Sequence, residues 1–320
     1  MSEEPILREN PNRYTLFPLK YPDLWALYKR GEASFWKAGE IDFTADNEDW
    51  AKLNGDEKNF ILNILAFFAG SDGIVLENIM TRFFNEVQIP EARSFYALQA
   101  AVENIHGEVY SLLIDAFAEP DDKSKLFNAI QEIPCITKKA EWAIKWISDG
   151  PSFAHRLVAF AVVEGVFFSG SFCAIFWLKS RSRMVKTLGT SNELISRDES
   201  LHTEFAICLY KYIENKLTPE ETVKIVTEAV EIEKEFIIES LPCALIGMNS
   251  ELMVTYIHFV ADRLLIQLHC PPVYNVKNPF PFMNTIGLDG KSNFFEKRVT
   301  EYQLASTTGN STGFDVTDDF

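Results

Sequence analysis

Basic residues are in deficit in this chain: 30 Lys and Arg stand against 46 Asp and Glu, a formal charge of −16 over 320 residues. So acidic a surface repels phosphate backbones and anionic headgroups, which excludes non-specific binding to nucleic acid or to an acidic membrane. Cysteine is sparse as well, at five (Cys135, Cys173, Cys208, Cys243 and Cys270), with no two at C-x-x-C spacing. The odd count and the spacing argue against a disulfide frame and a thiolate zinc site, and the thiols are read as reduced. Long runs alternating between apolar and polar residues are missing, so little strand is expected. No repeat occurs at a solenoid period. The segment Met1 to Asn10 is polar and acidic rather than basic and then apolar. No secretory signal is read there, and a cytoplasmic location is expected.

What the chain does have is apolar mass. Hydrophobic residues make up 47% of it and Phe alone contributes 26 copies, enough for a thick aromatic core in one large domain or two small ones. After a proline-containing start, an amphipathic stretch runs from Asp23 to Lys37. The periodicity then predicts helices over Asp56–Phe84, with Asp56 near the cap, and over Glu91–Phe117. Further helices are predicted over Asp122–Gln131, Lys138–Ser148, Phe153–Lys179, Asn192–Asn215, Pro219–Ile238 and Asn249–Leu268. From Tyr274 to Asp289 the chain reads as loop. From Ser306 it turns to Ser, Thr, Gly, Asn and Asp, a composition that buries little. Leu157 to Leu178 is long and apolar enough to span a bilayer, but Glu164 interrupts it. A carboxylate there is costly unless neutralised, so the segment is read as a helix buried on all sides of a soluble bundle, with a cation beside Glu164.

Histidine is rare, and two of the five copies follow a Glu by three residues: Glu103-Asn104-Ile105-His106 and Glu199-Ser200-Leu201-His202. Residues i and i+3 share a helix face, so each motif aims a carboxylate and an imidazole at one point. One such motif alone is an ordinary solvated pair. Two on separate long helices, with an acid from each of two other apolar helices, make the ligand set of ferritin-like di-iron proteins. Asp72, within Ala66-Phe67-Phe68-Ala69-Gly70-Ser71-Asp72-Gly73-Ile74-Val75, and Glu164 supply those acids. The fold class expected is all-α, a ferritin-like helical bundle with a di-iron centre in a four-helix core. Four carboxylates and two imidazoles suit iron or manganese better than a thiolate-seeking ion. Tyr110 lies one turn after His106, on the same face. Spacing alone favours reading it as an ordinary core tyrosine.

These residues carry a resemblance. The chain resembles the small, radical-bearing subunit of class I ribonucleotide reductase, of the eukaryotic and large-DNA-virus type. The stretches that carry it are Ala33-Ser34-Phe35-Trp36, Ser71-Asp72-Gly73-Ile74-Val75, Glu103 to His106 with Tyr110, Val163 to Phe172, Ser196-Arg197-Asp198-Glu199, Asn293 to Arg298, and Glu301-Tyr302. The resemblance implies that Asp72, Glu103 and His106 bind one iron and Glu164, Glu199 and His202 the other, with Glu103 among the bridging carboxylates. It implies that the reduced metals react with O₂ and oxidise Tyr110 to a stable tyrosyl radical, in a cage that Phe168, Phe172 and Ile195 can line. Asp198 would accept hydrogen bonds from His106 and the Trp36 indole. Tyr302 would relay the radical to a large subunit that reduces ribonucleoside diphosphates. Without the resemblance, Asp198 reads as a solvated carboxylate, Trp36 as a half-buried helix aromatic and Tyr302 as a surface tyrosine.

The expected organisation is a di-iron domain over residues 1–303 and a tail over 304–320. The tail's ending, Phe314-Asp315-Val316-Thr317-Asp318-Asp319-Phe320, sets apolar anchors among acids, as suits a segment that orders on docking. The resemblance also implies a homodimer, a partnership with the large subunit through this tail, and two iron ions as cofactor, with manganese as the alternative. The long N-terminal extension of cellular animal homologues is not seen, so regulation through it is not expected. Two other readings stand beside this one. Another di-iron oxidase of the fold, such as a desaturase or hydroxylase, would need a substrate channel but neither Trp36 nor Tyr302. A ferritin-like storage protein would bind iron without forming a lasting radical.

Overall fold

The computed structural model describes residues 4–148, 150–240 and 242–284. Among these residues there are helices and loops and no strand. The long helices are α1 (Pro22–Ala33), α2 (Gly55–Asn78), α3 (Pro90–Phe117), α4 (Pro134–Ala143), α5 (Phe153–Val162), α6 (Ser169–Ser180), α7 (Leu188–Tyr210), α8 (Pro219–Lys234) and α9 (Ser250–Gln267). Helix α2 packs on α3, α3 on α1 and α7, and α7 on α5 and α6, while α8 and α9 pair outside them. This bundle is the expected ferritin-like class.

Local chemistry explains most of the boundaries. Helix α2 starts at a capping box: Asn54 Oδ1 accepts from the Glu57 backbone N–H at 2.9 Å, and Glu57 Oε2 accepts from the Asn54 N–H at 2.9 Å, which satisfies two donors otherwise left orphaned. The cap is Asn54, two residues before Asp56, which lies in the first turn as expected. Helices α3 and α8 open on Pro90 and Pro219, where the missing N–H costs nothing. Helix α7 has no side-chain cap of its own. Asp46, far away in sequence, accepts from the backbone N–H groups of Lys186, Thr187 and Leu188 at 3.0, 2.9 and 3.0 Å. Helix α1 ends at Ala33, short of the Lys37 expected, so Trp36 stands in the extended stretch beyond it and is fully buried. The stretch read as Asp122–Gln131 divides into Pro120–Phe127 and Ala129–Glu132.

The apolar segment around Glu164 is a core helix. In Phe153–Ser180, 94% of the most apolar window is buried inside the protein, so neighbouring helices take the place lipid would have. It is not one regular helix, however. Between α5 and α6 lies a widened π turn, Val163–Phe167, that carries Glu164.

Candidate metal centre

Each of the four core helices contributes to one buried cluster. Helix α2 supplies Asp72, α3 supplies Glu103 and His106, the π turn supplies Glu164, and α7 supplies Glu199 and His202; each is at most 3% exposed. Their donor atoms gather into two sets within metal-binding reach: Asp72, Glu103 and His106, and Glu103, Glu164, Glu199 and His202. Glu103 belongs to both. His202 Nδ1 lies 3.0 Å from Glu103 Oε1 and 3.1 Å from Glu199 Oε2, and His106 Nδ1 lies 3.0 Å from Glu199 Oε1.

The hydrogen bonding inside this cluster is incomplete. Asp72 Oδ2, Glu103 Oε2, Glu164 Oε2, Glu199 Oε1 and His106 Nδ1 are all buried and none makes a well-aligned hydrogen bond, although His106 Nδ1 and Glu199 Oε1 lie close together. Buried acceptors left unpaired are costly, and here they converge. Divalent cations would satisfy all of them, and hard oxygen donors with one imidazole per set fit iron or manganese. The metal-free electrostatics agree. Burial, with the charges of Glu103 and Glu199, pushes Asp72 well above the usual carboxyl range. Burial, with Glu199 beside it, does the same to Glu164. Burial alone would lower both histidines, but carboxylates outweigh it and raise them: Asp198, Glu103 and Glu199 for His106, and chiefly Glu103 and Glu199 for His202. Without a cation, protons take the place of metal charge.

Around the cluster, Asp198 Oδ2 accepts from the Trp36 indole N–H at 2.7 Å and lies 3.3 Å from His106 Nε2. The indole and imidazole planes stack with centroids 6.1 Å apart. Burial would raise Asp198, but Arg197, His106 and Trp36 outweigh it and hold the carboxyl below its ordinary value. Tyr110 is buried, and burial together with the Asp72 charge raises its phenol well above normal. The ring flat against it is Phe68, 4.8 Å away and tilted by 10°. Phe172 stacks on Phe68 at 4.8 Å, Phe168 meets it edge-on at 5.6 Å, and Ile195 is fully buried.

Several participants escaped the sequence reading. Phe68 was visible only as one of many apolar positions in α2. Gln99, buried, directs its Nε2 at Glu103 Oε1 and Glu164 Oε1, both at 3.4 Å. Its spacing of four before Glu103 was the available signal, but an amide carries no metal signature. Arg197 donates to Asp198 Oδ1 at 3.0–3.1 Å and to the Ser34 carbonyl at 2.8 Å, tying the Trp36 stretch to α7. Tyr302 and the tail 304–320 lie outside the described residues.

Known proteins resemble this chain over most of its length. The family model described as "Ribonucleotide reductase, small chain" matches residues 13–279. The ribonucleoside-diphosphate reductase small chain of Trypanosoma brucei brucei is 58% identical over 99% of this chain and 96% of its own length. The small chain of Vaccinia virus (strain Ankara) is 57% identical over 94% of each. Among solved structures, the Rnr4 homodimer of Saccharomyces cerevisiae superposes with a TM-score of 0.81 at 42% identity, over 87% of this chain and 88% of that one.

Proposed function

This protein belongs to the ribonucleotide reductase small-chain family, and we propose that it is the small subunit of ribonucleoside-diphosphate reductase, which makes a tyrosyl radical at Tyr110 and passes it to a large subunit for deoxyribonucleotide synthesis. The observation that carries the proposal is the convergence of four buried carboxylates and two buried imidazoles near a buried tyrosine stacked on Phe68.

In this reading Asp72, Glu103 and His106 hold one ion, and Glu164, Glu199 and His202 hold the other, with Glu103 shared. Iron is the metal proposed and manganese the alternative. A metal pair held there, with O₂ and electrons supplied, would provide the oxidising power for taking an electron and a proton from the Tyr110 phenol. The protein's own residues govern the fate of that radical. Phe68, Phe168, Phe172 and Ile195 exclude water and reductants from the phenol, so the radical persists. Gln99 orients Glu103 and Glu164 through its amide. Asp198 fixes the His106 ring through Nε2 and leaves Nδ1 directed at the ligand cluster, the usual work of a carboxylate behind a metal-binding histidine. The line Trp36–Asp198–His106 is proposed as the path for an electron and a proton between the cluster and the surface. Tyr302 is proposed as the relay across the subunit boundary, and residues 304–320 as the segment that docks on the large subunit, both on the strength of the sequence resemblance.

A homodimer is proposed as well. It is supported by the Rnr4 homodimer and by the helical segment Gly55–Glu86, whose most apolar window is only half buried. A cytoplasmic location fits the free cysteines. The test is anaerobic loading with ferrous iron, exposure to O₂ and electron spin resonance with metal analysis. A persistent tyrosyl signal that vanishes in Tyr110→Phe is expected. Metal uptake without any radical would favour a storage protein or another di-iron oxidase, and an unchanged signal in Tyr110→Phe would move the radical elsewhere.

A further inference from the structure

A second buried charge pair lies outside the ligand cluster. Lys139 on α4 and Glu233 on α8 are 1% and 0% exposed and meet at 2.5 Å. The Lys139 ammonium sits over the rings of Phe67 and Phe236, at 3.8 and 3.9 Å from their centroids. An apolar pair of similar volume would serve a helical core at least as well, because desolvating two charges commonly offsets their attraction. The bare pair therefore does not explain itself by stability.

Its other contacts do. Lys139 Nζ donates to the carbonyl of Phe167 at 2.7 Å, and Glu233 Oε1 accepts from the backbone N–H of Gly170 at 3.2 Å. Phe167 is the last residue of the π turn that carries Glu164, and Gly170 lies in the first turn of α6, which has no side-chain cap. Where a widened turn gives way to an α-helix, carbonyls and N–H groups lose their regular partners. In a water-free core every one of them needs another. The Ser169 hydroxyl takes the Val166 carbonyl at 2.7 Å, and the ion pair takes the two groups on either side. Gly170 is part of the same arrangement, since a Cβ there would overlap Glu233 Oε1.

We propose that Lys139 and Glu233 are positioning residues that clamp both sides of the junction after the π turn and so set where the Glu164 carboxylate stands in the metal centre. The proposal rests on the reading of Glu164 as a ligand. It treats the pair as an outer support of the site, reached through backbone rather than through a ligand side chain. It also explains how so irregular a turn keeps one geometry: a positive and a negative group, held by each other, fix a carbonyl and an N–H on either side of Phe168.

The test is a cobalt(II) titration of the full-length protein under argon, followed by visible absorption, with helix content and melting temperature recorded alongside. The parent protein should take up two ions. Lys139→Met and Gly170→Ala should each bind one of the two about ten- to a hundredfold more weakly, with altered absorption bands, the size of effect typical of outer supports of metal ligands. Glu233→Gln keeps an acceptor for Gly170 but leaves the buried Lys139 charge without its counter-charge, so its binding should fall between that of these variants and the parent. Should Lys139→Met not fold, Gly170→Ala decides the matter alone, since it displaces the carboxylate without removing a charge. Two equally tight ions with unchanged bands in a folded Lys139→Met or Gly170→Ala, whatever the loss in melting temperature, would overturn the clamp. A parent protein that takes up no cobalt would instead overturn the metal centre itself.

Discussion

Metal binding should stabilise this protein in a pattern set by which side chains the two ions share. An ion present at a hundred times its dissociation constant stabilises the folded state by about 2.7 kcal/mol per site, so two sites give about 5.4 kcal/mol. Unfolding entropy near the melting point is about 2.1 cal/mol/K per residue, or roughly 0.7 kcal/mol/K for a chain of this length, so the melting temperature should rise by about 8 °C. Asp72 belongs to one donor set only, whereas Glu103 belongs to both. Asp72→Ala should therefore keep about half the rise, and Glu103→Ala should lose most of it. In metal-free protein Asp72→Ala should cost little, because it removes an acid whose burial is itself unfavourable. The assay is circular dichroism melting under argon with and without ferrous salt. An equal loss of the metal-dependent rise in the two variants, or no rise in the parent, would refute the shared-carboxylate geometry.

Protons, the radical cage and a surface ion pair offer three further measurements. Asp72, Glu164, His106 and His202 are all pushed towards their protonated forms without metal, so loading both ions near neutral pH should release up to about four protons. Calorimetry in buffers of different ionisation enthalpy counts them, and a release of none would contradict the charge assignment. Phe68→Ala should cost about 3–5 kcal/mol from the cavity it leaves and should shorten the life of the Tyr110 radical. A radical that decays at the parent rate would remove Phe68 from the cage. Glu57 is held below its ordinary value of 4.5 first by its hydrogen bonds to Arg183, against the opposing effect of burial. The stability it contributes is thus present above pH 4.5 and lost as pH falls through the lower folded value. Glu57→Gln should lower stability by about 1 kcal/mol at pH 7, allowing for the half-exposed Arg183, with the deficit shrinking in acid. Thermal melts across pH would show it, and a deficit that grew in acid would oppose this account.

The readable part of the site was the part written in helix periodicity. Glu103 with His106, and Glu199 with His202, are i,i+3 pairs whose convergence needs only that each segment be helical. Asp72 and Glu164 stood out because acids in apolar helices demand a partner. Trp36 was harder. The amphipathic pattern continued past Ala33, yet the backbone leaves the helix there, and the Asp198 carboxylate that receives the indole comes from α7. Phe68, Gln99 and Arg197 gave no distinguishing signal, because an apolar ring, an amide and a helix arginine each occur for many reasons.

By itself the sequence determined the all-α class, the four core helices, the ligand types and the acidic character, since these arise from periodicity, residue chemistry and net charge, which are local or summed quantities. Only the tertiary structure decided that Glu103 serves both donor sets, that Phe68 is the ring against Tyr110, that Asp46 caps α7 from afar, and that Lys139 and Glu233 hold the turn carrying Glu164. Those depend on which groups are left without hydrogen-bond partners once helices pack, a debt that appears when water is excluded and can be met from anywhere in the sequence.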